Sequence, residues 1–289
     1  MADAAGTLYV VGTPIGNLGD ITLRALETLR AVGDVAAEDT RRTRALLTHF
    51  GIAGKRLHSI HAHSGERELG AVVARLLDGH DVALVTDAGM PSVSDPGAAL
   101  VRAATARGLR LLVLPGPSAV TAAAALSGLV EGSFFFVGFP PRRGIKRTKL
   151  FERIAACPDP VVLFEAPNRV EETLADLAAI VPERAVSVSR EITKLHEETL
   201  RGSAVELAER AAGRAWRGEV TIVLGASSAE PEPWSLDDLD AQIAARLGDG
   251  VPTKAIATEL AAVSGLPRRE VYARVELLRK REGSDKPRA

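Results

Sequence analysis

From Thr7 to about Leu114, short apolar runs alternate with segments of helical periodicity. The pattern predicts strands over 7–12, 34–38, 57–60, 82–86 and 111–114, with helices over 22–32, 40–49, 65–78 and 97–107 between them. Such alternation builds a parallel sheet wrapped by helices, because a parallel crossover needs an intervening element. Asp20 or Thr22 is placed to cap the first helix, and Gly79 and Gly108 to close later ones.

After an Ala/Val-rich helix over 118–127 the texture changes. Strands are expected at 133–138, 160–165, 185–190, 197–202 and 219–225, with helices at 145–155, 168–180 and 203–213. The short gap between 190 and 197 suits a hairpin, so this second sheet is expected to be mixed. The stretch from Ser227 to Pro233 reads as a linker, and Lys286 to Ala289 as a frayed tail. Between them Leu236, Leu239, Ile243 and Leu247 recur at helical spacing behind a Ser235/Asp238 cap. Two further helices, from Thr253 to Val263 and from Arg268 to Arg279, flank a turn at Gly265. Ala261, Gly265 and Val271 stand where a helix-turn-helix needs a small, a turn and a buried branched residue, as they also would in any short helical hairpin. The expected organisation is therefore an α/β domain over 1–117, a second over 118–228 and a small helical module over 234–282.

Composition narrows the class. At 289 residues and 46% hydrophobic content the chain can build more than one core. A net charge of -1 excludes a globally basic, histone-like binder without excluding local basic patches. The single cysteine, Cys157, rules out an internal disulfide and a cysteine-based zinc site, and suits a reducing compartment. No run of 18 apolar residues and no basic, apolar leader stands in the sequence, so a cytoplasmic protein without membrane partners is expected.

Three predicted strands empty into Gly/Pro loops: Leu8–Val11 into 12–17, Val82–Val85 into 86–97, and Leu111–Leu114 into 115–119. Loops at the carboxyl ends of parallel strands converge on one crevice. The first loop has glycines at 12, 16 and 19, which is not the dinucleotide spacing, and it lacks the phosphate-loop lysine. Pro14 also removes a backbone donor, which disfavours a phosphate ligand and hence a nicotinamide-dependent dehydrogenase. The segment from Phe139 to Lys149 carries five basic residues and no acid, Arg142, Arg143, Lys146, Arg147 and Lys149, beside the aromatic run Phe134–Phe136. Such a segment suits a mobile cationic loop that grips a phosphate backbone, against the plainer alternative of a solvated surface loop. His58, His61 and His63 lack a fourth metal ligand, so they read as polar loop residues, the last two near a substrate entrance.

The wording VGTPIGNLGDIT, AEDTRRT, TDAGMPSVSDPG, LPGPSA, LFEAPNRV, REITKLHEE and GEVTIVLG, spread over residues 11–225, resembles the tetrapyrrole methylase superfamily. That resemblance implies two α/β domains, the first with a parallel and the second with a mixed sheet, and S-adenosylmethionine between them. Within the superfamily the chain is most similar to a branch that methylates the ribose 2′-hydroxyl of a cytidine in the decoding region of 16S rRNA. It implies donor contacts at Pro14, Ile15, Gly89, Met90, Val93, Ser118, Ala119, Phe164 and Thr221, no metal, and a homodimer acting on 16S rRNA or the small ribosomal subunit. Gly89-Met90-Pro91 departs from the Gly-Asp-Pro of many relatives, so an aspartate role at that place is absent. Asp87 either holds the donor or caps its own turn. A ribose hydroxyl is a poor nucleophile, so a general base is expected among Glu38, Asp39, Glu165 and Glu191, with Arg41, Arg169, Arg190 and Lys194 beside them for phosphates. Arg268 and Arg269 give the terminal module a second cationic face for RNA. The alternatives are a tetrapyrrole (precorrin-type) methyltransferase and a non-catalytic helix-turn-helix protein.

Overall fold

The structure is a computed structural model describing residues 5–61, 64–94, 96–227 and 234–284. His63, the linker residues 228–233 and the tail from residue 285 lie outside the described residues. The chain forms two compact units, Met1–Ala226 and Ser227–Ala289.

The first unit opens with β1 (Thr7–Val11), α1 (Leu23–Ala31), β2 (Asp34–Ala37), α2 (Thr40–His49), β3 (Arg56–Ser59), α3 (Glu66–Leu77), β4 (Val82–Val85), α4 (Ala98–Thr105) and β5 (Arg110–Leu114). Its sheet has the order β3-β2-β4-β1-β5, and every pair is parallel. β2 and β4 are buried along their whole length because helices cover both faces, which is why β4 and, after Asp34, β2 read as apolar runs. Leu8, Val72, Leu76, Leu84 and Leu100 fill one face, and Val11, Leu29, Val35, Leu47 and Val85 the other. Of the two possible caps for α1, Thr22 is used: its hydroxyl accepts the Ala25 N–H at 3.1 Å.

The second half continues with α5 (Ala119–Ser127), β6 (Phe135–Gly138), α6 (Ile145–Ala156), β7 (Val161–Glu165), α7 (Val170–Ile180), β8 (Ala185–Arg190), β9 (Glu198–Ser203), α8 (Ala204–Ala211) and β10 (Val220–Leu224). The order β6-β7-β10-β8-β9 mixes one parallel pair, β6–β7, with antiparallel neighbours. β8 and β9 form the expected hairpin, with Arg190 opposite Glu198. α6–α8 cover one face over Leu163, Leu174, Leu177 and Ile222; α5 covers the other through Val120, Ala123 and Ala124 against Val162 and Val223.

Except for the last helix, predicted to end at Arg279 but running on to Ser284, the predicted elements stand within a residue or two of those observed, with two further differences. Short 3-10 turns at Leu18–Asp20 and Pro167–Arg169 had no periodic signal, being too short to show one. The basic segment is not wholly a loop: from Ile145 onward it is the first turns of α6.

In the second unit α9 (Leu236–Gly248), α10 (Thr253–Val263) and α11 (Arg268–Ser284) bury Leu239, Ile243, Ile256, Leu260, Val271 and Val275 against one another. Gly265 takes a left-handed conformation at φ 67° between α10 and α11, the turn its sequence position required. No helix among the described residues is long and apolar enough to cross a membrane.

Candidate functional site

The three glycine loops meet through their backbones. Thr13 and Gly89 exchange both hydrogen bonds, at 2.9 and 3.1 Å, and the Gly12 N–H donates to Leu114 O at 3.1 Å. A Cβ on Gly12 would lie 2.8 Å from Gly116 Cα and 2.7 Å from Met90 Sδ; one on Gly116 would lie 2.9 Å from Gly12 Cα. These two positions therefore need glycine for space rather than for an unusual φ. The Thr13 hydroxyl, fully covered, completes the junction by donating to Thr86 O at 3.1 Å.

Between this junction and the second sheet lies a cleft of about 370 Å³. Ile15, Gly89, Met90, Val93, Ser118, Ala119, Phe164 and Thr221 all line it, so eight of the ten residues expected to contact the donor lie around one cleft. Pro14 and Asp87 do not: they line a neighbouring hollow of about 400 Å³ with Arg42, Leu46 and His49. Asp87 accepts the Asp39 N–H at 3.1 Å and faces Arg42 at 3.3 Å, so it tethers the loop after β2. Sequence reasoning missed Ser94, Phe139, Gly218 and Glu219, which also line the cleft. Phe139 directly follows β6 and Glu219 directly precedes β10, positions at strand ends that are the signal that could have found them. The Phe139 ring stands 5.4 Å from that of Phe164, making an aromatic wall.

Among described non-glycine residues, positive φ occurs at Ser92 (72°), Ser94 (63°), Glu191 (52°) and Thr193 (69°). All four sit in two loops beside the cleft, where backbone strain of about 1–3 kcal/mol per residue is held by surrounding contacts. The β8–β9 loop also reaches the first half: a Cβ on Gly16 would run into the Lys194 side chain. Lys194 bridges Glu191 at 2.8 Å and Glu219 at 2.9 Å; burial pulls its ammonium down, and these two partners more than restore it.

The four candidate carboxylates differ in their partners. Asp39 is held down to about 2 by the exposed Arg41, which takes both of its oxygens. Glu191 is lowered by its hydrogen bond from Lys194. Glu165, its side chain fully buried, accepts from Thr173 Oγ1 at 2.5 Å, Arg169 at 3.2 Å and the Ala166 N–H at 2.8 Å. Glu38 is raised, first by burial and then by the like charges of Asp87 and Asp39.

The expected RNA contacts separate as well. Arg142, Arg143, Lys146 and Lys149 are exposed. Arg147 departs from that expectation: it is buried, donates to Asp176, Thr173 and Pro141 O, and stacks over Phe151, so its guanidinium is spent inside the fold. Arg190 pairs with Glu198 at 2.6 Å. In the helical unit Arg268 and Arg269 are exposed on the first turn of α11. His58 binds Asp34 at 2.8 Å, beside Arg75 at 3.0 Å, and the exposed His61 donates its N–H to Ser64 Oγ. No cluster of three or more metal-binding side chains occurs among the described residues.

Two α/β halves with a glycine-built cleft at the carboxyl ends of parallel strands define a methylase fold, and the family model of the Tetrapyrrole (Corrin/Porphyrin) Methylases matches residues 7–208. The chain belongs to that family. Among curated proteins it is similar to "Ribosomal RNA small subunit methyltransferase I" of Halalkalibacterium halodurans, 38% identical over 93% of this chain and 94% of that protein. The same name is carried by a Micromonospora olivasterospora protein, 42% identical over 96% of this chain and 89% of its own length. A Thermotoga maritima protein of that name is 43% identical over 76% of this chain and 98% of its own length. Among solved structures, a diphthine synthase (TM-score 0.60, 20% identity, 76% of this chain and 90% of that one) and a cobalt precorrin-4 methyltransferase (TM-score 0.58, 20% identity, 76% and 94%) share the fold.

Proposed function

We propose that this protein transfers a methyl group from S-adenosylmethionine to the ribose 2′-hydroxyl of a cytidine in the decoding region of 16S rRNA. The observation that carries the reading is the gathering of eight anticipated donor contacts along one cleft. Its volume lies in the range of small-molecule sites, roughly 300–1,000 Å³. The residues suit the donor. Phe139 and Phe164 offer aromatic faces to a flat base. The Ser118 side chain leaves the start of α5 uncapped, so backbone N–H groups there suit a carboxylate. When bound, S-adenosylmethionine supplies an activated methyl that needs no metal.

The chain's own residues then hold and activate the acceptor. Arg142, Arg143, Lys146 and Lys149, with Arg41 and the α11 residues Arg268 and Arg269, attract and orient the RNA backbone. In this reading Glu38 takes the hydroxyl proton: its carboxylate stands where the loops after β2 and β4 meet, accepting the Asp87 N–H at 3.4 Å, and it has no ion-pair partner within 4 Å among the described residues. The basic segment and the α9–α11 unit favour RNA over a small tetrapyrrole as acceptor. The same reading includes a cytoplasmic enzyme acting as a homodimer, for which Leu112 and Val113, exposed on the edge strand β5, offer an apolar surface.

Incubating the protein with methyl-labelled donor and unmodified small ribosomal subunits, followed by nucleoside mapping, tests this. Label on the 2′-oxygen of a decoding-region cytidine is expected. Label on a base, on another nucleotide, or only on an added tetrapyrrole refutes it.

A further inference from the structure

Glu165, at the cleft wall, is committed to Arg169 through a buried ion pair at 3.2 Å. Pro140 and Pro141 lack N–H groups, so this stretch cannot fasten itself through its own backbone donors. Its carbonyls are held from outside: Arg169 Nη2 donates to Pro140 O at 2.9 Å and Pro141 O at 3.3 Å, and Arg147 Nη1 to Pro141 O at 3.2 Å. Both arginines are themselves fixed, Arg169 by Glu165 at 3.2 Å and Arg147 by Asp176 at 2.6 Å. Thr173 joins the two systems, donating to Glu165 at 2.5 Å and accepting from Arg147 at 3.1 Å. Immediately before the clamped prolines stands Phe139, part of the cleft wall; immediately after them stand the exposed Arg142 and Arg143.

We infer that Arg169, oriented by Glu165, is a positioning residue that couples the donor cleft to the RNA-gripping segment. The clamp fixes one short stretch whose two ends serve the two ligands, so a donor packed against Phe139 steadies the arginines beyond it. By linkage, bound RNA then tightens the donor to the same extent. The inference rests on the functional reading above, because it assigns the two ends to donor and RNA.

The test uses the full chain and Arg169→Gln, with Arg169→Lys in its place should the glutamine variant fail to fold. Donor affinity is measured by calorimetry without RNA, and small-subunit affinity by filter binding over a salt series. Both affinities are expected to fall about five- to tenfold in the variant, with the slope of log affinity against log salt unchanged, since Arg169 touches no phosphate. Donor is expected to raise the native protein's subunit affinity severalfold, and the variant's not at all. A slope reduced by about 0.7 with donor affinity retained would make Arg169 a direct phosphate ligand and overturn the inference. Native values for both affinities would overturn it too. Limited trypsin digestion separates this failure from that of the functional reading: cleavage after Arg142 and Arg143 should run about tenfold faster in the variant without any ligand. Equal cleavage rates refute the clamp whatever the protein binds.

Discussion

Replacing Gly12 by alanine tests the claim that the cleft exists because three loops touch backbone to backbone. The added methyl would stand 2.8 Å from both the N and Cα atoms of Gly116 and 2.7 Å from Met90 Sδ. The methionine end can swing away, but the Gly116 backbone cannot move without pulling on Leu114, whose carbonyl accepts the Gly12 N–H. Overpacking costs typically about 1–3 kcal/mol, and a clash with two backbone atoms of Gly116 belongs near the upper figure. At about 3 kcal/mol the folding constant falls by roughly a hundredfold, and with a urea slope near 3 kcal/mol/M the midpoint drops by about 1 M. Any residual displacement opens the cleft at Met90, so S-adenosylmethionine affinity should fall about tenfold, or 1.4 kcal/mol. Urea unfolding and titration calorimetry read the two effects. Gly33→Ala is the control, because a Cβ there meets nothing within 4 Å. A Gly12→Ala protein with native midpoint and native donor affinity would refute the space argument.

Other expectations follow from the charged groups. Glu38→Gln should slow single-turnover methylation about a hundredfold or more while donor affinity stays within twofold; a native rate would remove Glu38 as the base. Replacing Arg142 and Arg143 together by alanine should reduce the salt slope of subunit binding by about 1.4, and an unchanged slope would mean that neither touches phosphate. Asp34→Asn should cost about 3 kcal/mol at pH 7, because it leaves His58 and Arg75 without their carboxylate. Burial pushes the Asp34 carboxyl up, but Arg75 and His58 hold it below its ordinary 3.8. Its contribution is therefore complete above about pH 4 and fades as the pH falls below that. Denaturant midpoints of the two proteins should accordingly converge in acid, and a gap that persists there would contradict the ion-pair account.

Strand and helix positions were legible because β2 and β4 are buried on both faces and α1–α4 on one, so burial imposes the period that the residues show. The cleft between the sheets was legible as far as loop chemistry marks it, in Gly12, Gly89 and Ser118. Phe139, Gly218 and Glu219 were not, since their role comes from the pairing of β6 and β10 with β7, which only the folded chain creates. Carboxylate roles were least legible. Glu165 and Glu38 both follow apolar strands and look alike in sequence, yet one is enclosed by Thr173, Arg169 and Ala166 while the other has only the Asp87 N–H, at 3.4 Å. Arg147 illustrates the same limit, as a basic residue amid basic residues that turns inward to Asp176.

The helix α5 leaves the first sheet through Pro115–Pro117 and lays its buried face on Val162 and Val223 of the second. A single stretch of chain thus forms the third cleft loop at one end and a core layer of the opposite half along its length. The two sheets share an organ, so a break in the chain near residue 117 would strip one half of its cover and the other of its loop. Denaturation of residues 5–226 should accordingly proceed as one event, and exchanging either half between relatives should succeed only when this helix travels with the sheet it covers.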